Sequence, residues 1–234
     1  MDPLARLAAE PARAAILLDV DGVLAPIVAR PEDAHVPDET RHELARLSAR
    51  YGLVACVTGR PSEVARAIVG VPGLTVVGEH GLELDPEAPA WAGRIAAFAE
   101  TAAWPAERKP LTLAFHYRTA DDPDAARAVL ERVAAQAEAQ GFRTRWGRMV
   151  LEVLPPLDAS KGTAVRRLLE ERNLRRALYA GDDTTDLDAF AALDGLEAAV
   201  RVAVSSPDGP AALRERADLV VGSTDELLDV LRRL

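Results

Sequence analysis

Two apolar runs that end in carboxylates constrain this chain more than any other feature. Ile16-Leu17-Leu18 runs directly into Asp19-Val20-Asp21-Gly22, and Ala177-Leu178-Tyr179-Ala180 runs into Gly181-Asp182-Asp183-Thr184-Thr185-Asp186. A short apolar run bounded by a turn residue reads as a buried strand. Carboxylates at the ends of such strands fall at the carboxyl edge of the sheet, where open α/β folds bind ligands. Strand alternation would send Asp19 and Asp21 to opposite sides, and a turn at Gly22 can bring both toward one site. Carboxylates crowded at such an edge repel unless a cation lies between them. Mg²⁺, a hard ion that prefers oxygen ligands, is the obvious candidate. One Asp-x-Asp alone would equally fit an acidic surface turn. The same design twice in one chain favours a shared site.

The rest of the chain is organised around these runs. Apolar stretches at 15–20, 53–58 and 74–78 alternate with helical patterns near 38–51 and 61–69. Later stretches at 177–181, 199–204 and 218–222 alternate with helical patterns near 160–172, 185–193, 210–216 and 224–234. Strand–helix alternation predicts an α/β fold with a doubly wound parallel sheet. Right-handed crossovers bring the carboxyl ends of its strands to one edge.

The middle of the chain follows a different period. Thr112, Ala114, His116 and Arg118 alternate with Leu111, Leu113, Phe115 and Tyr117, and Arg148, Val150 and Glu152 alternate with Met149, Leu151 and Val153. Period two with one polar face is the pattern of an antiparallel sheet. Between them Asp122-Pro123 reads as an N-cap and first helical residue, followed by a stripe of Ala126, Val129, Leu130, Val133 and Ala137. Residues 86–155 therefore read as a small α/β module inserted into a core formed by 1–85 and 156–234. The proline-rich joints Leu84–Pro89 and Leu154–Asp158 support that division.

Composition narrows the function classes. The chain has 234 residues, is 49% hydrophobic, and carries a formal net charge of −9. No basic stripe of the kind that tracks nucleic acid is present. Aromatics make up only 4% of residues, so Leu, Val, Ile and Ala must fill the core. The single cysteine, Cys56, lies in the run Leu53–Val57 and reads as a buried, inert thiol. No long apolar leader or membrane-length run occurs, so a cytoplasmic protein with no membrane partner is expected. A monomer is the default expectation.

Two further segments carry chemistry. Val57-Thr58-Gly59-Arg60-Pro61 ends the second strand, and a hydroxyl, a glycine amide and a helix start together suit an anion. Thr58 acting as an ordinary N-cap is the competing expectation. Lys161 follows Ser160, a good N-cap, and so falls in the first turn of a helix, where a cation opposes the helix dipole. A local rule broken without evident gain points to function.

With these residues in place, the chain resembles the haloacid dehalogenase-like phosphohydrolases over nearly its whole length. Asp19-Val20-Asp21-Gly22, Thr58-Gly59-Arg60, Lys161-Gly162 and Gly181-Asp182-Asp183 stand in the order and rough spacing of the four motifs of that superfamily. Within it the chain is similar to the trehalose-6-phosphate phosphatases. Gly78-Glu79-His80-Gly81, Glu107-Arg108-Lys109 with His116-Tyr117-Arg118, Val150–Val153, and Gly181–Phe190 carry this finer resemblance. It departs at Leu154, where a basic residue is usual, and at Glu79, where asparagine is more common.

The resemblance implies a Mg²⁺-dependent phosphatase of trehalose biosynthesis, releasing phosphate from trehalose-6-phosphate through an aspartyl-phosphate. It implies Asp19 as nucleophile and Asp21 as acid and base. The metal would be held by the Asp19 carboxylate, the Asp21 carbonyl and Asp182. Thr58, Gly59 and Lys161 would hold the phosphoryl group, with Asp183 and Asp186 as additional ligands or partners of Lys161. The inserted module would be a cap whose Glu107, Lys109, His116, Arg118 and Glu152 contact the sugar, with His80 orienting it or finishing a turn. Three other readings remain: a phosphatase of another sugar phosphate such as sucrose phosphate or a pseudo-disaccharide phosphate, a non-catalytic binding domain derived from a phosphatase, and a phosphomutase.

Overall fold

The computed structural model describes residues 3–28, 30–147, 149–206 and 209–234. Among them run ten strands: β1 (Ala14–Leu18), β2 (Leu53–Val57), β3 (Thr75–Val77), β4 (Glu107–Arg108), β5 (Leu113–His116), β6 (Arg143–Gly147), β7 (Val150–Leu154), β8 (Arg176–Gly181), β9 (Ala198–Val204) and β10 (Leu219–Val221). They make two sheets. One is parallel throughout, in the order β10-β9-β8-β1-β2-β3, and the other is antiparallel, in the order β4-β5-β7-β6. The chain divides into two compact units, one running to Gly81 and resuming over Ala159–Leu234, the other Leu82–Asp158.

In the first unit β1 and β2 are buried along their whole lengths, as strands covered on both faces must be. Ile16, Leu18, Val54, Cys56, Leu178, Ala180, Val200 and Val202 belong to one core cluster. From β1 the chain moves outward to β2 and β3. When it returns, β8 adds to the opposite side of β1, and β9 and β10 move outward from there. Strand order therefore reverses between β1 and β8. A crevice opens at such a switch point, beyond the carboxyl ends of the strands. The register pairs Leu18 with Ala180, and the Asp19 amide extends the ladder by donating to the Ala180 carbonyl at 3.0 Å. The residues that follow β1 and β8 are thus brought side by side.

The second unit packs one face of its sheet under the helices Ala92–Thr101 and Pro123–Ala139. Ile95, Phe98, Leu113, Phe115, Leu130, Val133, Leu151 and Val153 fill the space between. Asp122 caps the longer helix as its sequence requires, its side chain accepting from the amides of Asp124 and Ala125. The helix Ala92–Thr101 was not foreseen, although Ile95, Phe98 and Ala99 share one buried face. The strands are shorter than the expected alternation, although its inside–outside pattern continues through buried Tyr117 and exposed Arg118. β5 ends at His116, so Arg118 lies past the strand. Met149 takes a left-handed backbone (φ 57°) ahead of β7, and Arg148 lies outside the described residues. Among the described residues no helix is long and apolar enough to cross a membrane.

Leu178 is fully buried at the middle of β8. Leu178→Ala is expected to destabilise the first unit by about 2–5 kcal/mol, the usual range for an aliphatic core truncation. Urea unfolding followed by circular dichroism should show a clearly lowered midpoint. An unchanged midpoint would exclude β8 from the cooperative core.

Candidate active site

Asp19 follows the last residue of β1 and is only 6% exposed. Its Oδ1 accepts from the Val20 amide at 2.7 Å and its Oδ2 from Lys161 Nζ at 2.6 Å. The chain then folds back on itself, with the amides of Leu24 and Ala25 both donating to the Val20 carbonyl. Gly22 makes this possible. Its φ is +74°, and a Cβ there would stand 2.2 Å from Asp182 Oδ2. The turn after β1 and the carboxylate after β8 therefore pack against each other with no room for a side chain.

Lys161 is the first residue of the helix Lys161–Glu171, whose N-terminus is closed by a reciprocal pair between Ser160 and Thr163. Its ammonium is 2% exposed and unites Asp19 with Asp186, the latter at 2.7 Å. Burial alone would lower the pKa of this ammonium, but the carboxylates of Asp186 and Asp19 outweigh burial and raise it, so it stays charged. Asp186 is fully buried and saturated. Its Oδ1 accepts from Lys161 and from the Tyr179 hydroxyl, both at 2.7 Å, while its Oδ2 accepts from the amides of Asp182 at 2.9 Å and Asp183 at 3.0 Å. Four donors on one carboxylate leave it little capacity for a metal. Its place is to hold Lys161 and shape the loop that presents Asp182. Asp183 is exposed, with Oδ1 accepting from the Thr184 amide.

Ligand atoms of Asp19, Asp182 and Asp186 lie within 4.8 Å of one another. Burial and then the neighbouring carboxylates push Asp182 up to about 8. Burial also pushes Asp19 up to about 7, with Lys161 opposing and Asp186 reinforcing the rise. One lysine does not balance this much negative charge. The donors are all carboxylate oxygens, the set a hard divalent cation prefers over softer metals.

Asp21 takes no part in the Lys161 network and has its own partner. Its Oδ2 accepts from Arg60 Nε and its Oδ1 from Arg60 Nη2, both at 2.7 Å, while Arg60 Nη1 donates to the Pro31 carbonyl at 3.0 Å. Thr58 does not cap a helix. The helix begins at Ser62 with Pro61 as its N-cap, and Thr58 Oγ1 accepts from the Arg60 amide at 3.2 Å. Gly59 is a glycine because a Cβ there would meet His80 Nε2 at 2.5 Å. Glu79 and His80 take left-handed conformations at φ 47° and 55°, where non-glycine residues are strained. Their turn is stitched to the end of β2 by hydrogen bonds from the Glu79 amide to the Arg60 carbonyl and from the His80 amide to the Thr58 carbonyl.

The remaining candidates belong to the second unit. Glu107 on β4 meets His116 on β5, Oε2 to Nε2, at 2.8 Å. Glu152 on β7 accepts from Arg145 Nε, directly opposite on β6, at 2.7 Å. Lys109 lies in the turn between β4 and β5, its amide donating to the Thr112 carbonyl. Arg118 is exposed. Three residues of weight were not foreseen: Tyr179, Arg145 and the use of Arg60 against Asp21. A tyrosine within the otherwise apolar run Ala177–Ala180, two residues before Gly181, was the one available signal. Cys56 is fully buried, and burial, then Asp19, push its thiol up to about 12, which leaves it inert.

The Trehalose-phosphatase family model matches residues 17–104 and 99–218. The trehalose-phosphate phosphatase of Mycobacterium avium is 35% identical over 211 residues, covering 77% of this chain and 51% of that protein. An uncharacterized glycosyl hydrolase of Mycobacterium tuberculosis is also 35% identical over 205 residues, covering 77% of this chain and 15% of that one. The chain thus spans about half the length, or much less, of these relatives. A solved trehalose-6-phosphate phosphatase related protein superposes with a TM-score of 0.75 at 25% identity, covering 93% of this chain and 95% of the other.

The crowded carboxylates set the pH response of the metal-free protein. Asp182 binds its proton more tightly when folded (about 8) than at its ordinary value of 3.8. Its contribution to stability is therefore full below pH 3.8 and lost as pH rises through about 8. Asp182→Asn should flatten that loss. In chelator at pH 8 the variant should melt higher than wild type, by about 2–4 °C for each kcal/mol of repulsion relieved. At pH 4 the two should converge. A difference that does not change with pH would refute this electrostatic account.

Proposed function

The chain belongs to the trehalose-phosphatase family, and on that premise we propose that it hydrolyses a sugar phosphate monoester, with trehalose-6-phosphate as the substrate. The observation that carries this reading is the buried contact of Lys161 with Asp19 and Asp186 at the β1/β8 switch point. It presents a carboxylate nucleophile beside a fixed cation, which suits attack on a phosphoryl group.

In the first step an oxygen of Asp19 attacks phosphorus as the bond to the sugar oxygen breaks. Asp21 delivers a proton to that departing oxygen. In the second, Asp21 takes a proton from water, the water oxygen attacks phosphorus, and the bond to Asp19 breaks. Inorganic phosphate leaves and both aspartates return to their starting forms. Lys161, the Thr58 hydroxyl and the Gly59 amide hold the phosphoryl oxygens as their charge redistributes, since phosphoryl transfer is mostly positioning and charge stabilisation. The Asp19 and Asp182 carboxylates and the Asp21 carbonyl would hold Mg²⁺. Bound there, the ion would neutralise the carboxylates and polarise the phosphoryl group.

The second unit would supply sugar recognition through Glu107, Lys109, His116, Arg118 and Glu152, with His80 bracing the turn beside Gly59. The hydrogen bond of Glu107 with His116 and the ion pair of Glu152 with Arg145 fix acceptors suited to hydroxyls. Leu154, an apolar residue opposite Arg143 in the sheet register, favours a second reading in which another sugar phosphate is the preferred substrate.

Phosphate release from a panel of sugar phosphates, with and without Mg²⁺, tests the reading. Trehalose-6-phosphate should be the best substrate and strong chelation should abolish turnover. Asp19→Asn should fold normally and lose essentially all activity. Turnover in chelator would refute the metal requirement, and a panel led by another sugar would move the substrate assignment to the second reading.

Within the same panel, Glu152→Ala should cost about tenfold or more on the preferred sugar phosphate, the weight of one charged hydrogen bond of ~1.5–3 kcal/mol. A small aryl phosphate, which lacks the sugar, should be far less affected. Equal losses on both would assign Glu152 a purely structural role.

A further inference from the structure

Asp21 is a third exposed and sits on a turn, where an aspartate would ordinarily sample several rotamers. It does not do so here. Arg60 engages both of its oxygens at 2.7 Å, and the pair is 18% exposed on the arginine side and 34% on the aspartate side. A guanidinium fork fixes the plane of a carboxylate as well as its position, which a lysine could not do. Arg60 is itself held at three further points, one on the guanidinium and two on its backbone. Its third nitrogen donates to the Pro31 carbonyl at 3.0 Å, its amide donates to Thr58 Oγ1 at 3.2 Å, and its carbonyl accepts from the Glu79 amide at 2.9 Å. The last contact comes from the left-handed turn at Glu79 and His80, so local strain is retained where it anchors Arg60.

We propose that Arg60 is a positioning residue for the acid–base step: held by the ends of β2 and β3, it aims the Asp21 carboxylate at the oxygen that leaves phosphorus. The inference rests on the acid–base reading of Asp21 given above. Orientation of this kind matters because a misplaced proton donor loses most of its rate advantage. It matters most for a sugar leaving group, which departs poorly without a proton, and least for a nitrophenolate, which departs readily without one.

The test compares kcat/KM of the full chain on p-nitrophenyl phosphate, phenyl phosphate and the best sugar phosphate of the panel. The variants are Arg60→Ala, Arg60→Lys, Asp21→Asn, and Arg60→Ala combined with Asp21→Asn. Arg60→Ala should lose on the order of 100-fold on the sugar phosphate, the lower range for a general acid, and progressively less as the leaving group becomes more acidic. Arg60→Lys, which keeps the charge and guards against misfolding, should show the same trend. Added guanidinium chloride at non-denaturing concentration should restore part of the Arg60→Ala activity. The combined variant should be no slower than Asp21→Asn alone, because two residues acting through one step do not add. Equal losses on every ester, or a further loss in the Asp21→Asn background, would overturn the proposal and make Arg60 a phosphate ligand or a structural residue. Should Asp21→Asn itself lose activity equally on all esters, the acid–base reading fails and this inference fails with it.

Discussion

The buried ammonium of Lys161 is the constraint on which the site depends. Removing a charge from water costs several kcal/mol unless it is closely paired. Here one cation joins two carboxylates, Asp19 and Asp186, donated by segments that follow different strands. Asp186 then converts that electrostatic requirement into geometry. With Lys161 and Tyr179 on one oxygen and two loop amides on the other, it fixes the backbone of Asp182 and Asp183 relative to the end of β1. The acid cluster is consequently a rigid arrangement whose residual negative charge is set by the fold and left for a ligand to balance.

Much of this was legible in the residues themselves. Apolar runs located the parallel strands because strands buried on both faces have no alternative composition. The two glycine–carboxylate junctions located the sheet edge, because glycine and acid are poor residues for a strand interior. Lys161 stood out as a cation where the helix dipole disfavours one. What escaped was pairing. Nothing in the spacing of Asp21 and Arg60, or of Arg145 and Glu152, says that they meet, since register and side-chain direction are properties of the assembled sheet. Thr58 carried the residue type of an N-cap, but Pro61 leads into the helix with an extended backbone and moves its start to Ser62. The alternation through Arg118 outlasts the strand: β5 ends at His116, yet Tyr117 is still buried, with its amide bonded to the Met149 carbonyl, and Arg118 is still exposed.

The two units solve their burial differently. The parallel core hides both faces of its central strands, and its polar chemistry is confined to one edge. The antiparallel unit hides one face under two helices, so polar side chains such as Glu107, His116, Arg145 and Glu152 can line the other at little cost. There they pair across strands. Such pairs order side chains that would otherwise be mobile, and an ordered donor or acceptor recognises a hydroxyl with less loss of entropy.

The pairing of β1 with β8 has a consequence for how the molecule comes into being. Lys161 and Asp19 stand 142 positions apart, and the whole of Leu82–Asp158 lies between the strands on either side of the switch point. A nascent chain emerging from the ribosome carries β1 and β2 long before the partner for the other edge of β1 exists. Until β8 is synthesised that edge offers open backbone groups and apolar side chains, the combination that invites misassociation. Contacts between such distant segments also form slowly, because the intervening loop must close first. The inserted unit, compact and antiparallel, can fold during this interval and shorten the effective loop. Early folding of that unit would lower the entropic cost of closing the Asp19–Lys161 contact across 142 positions.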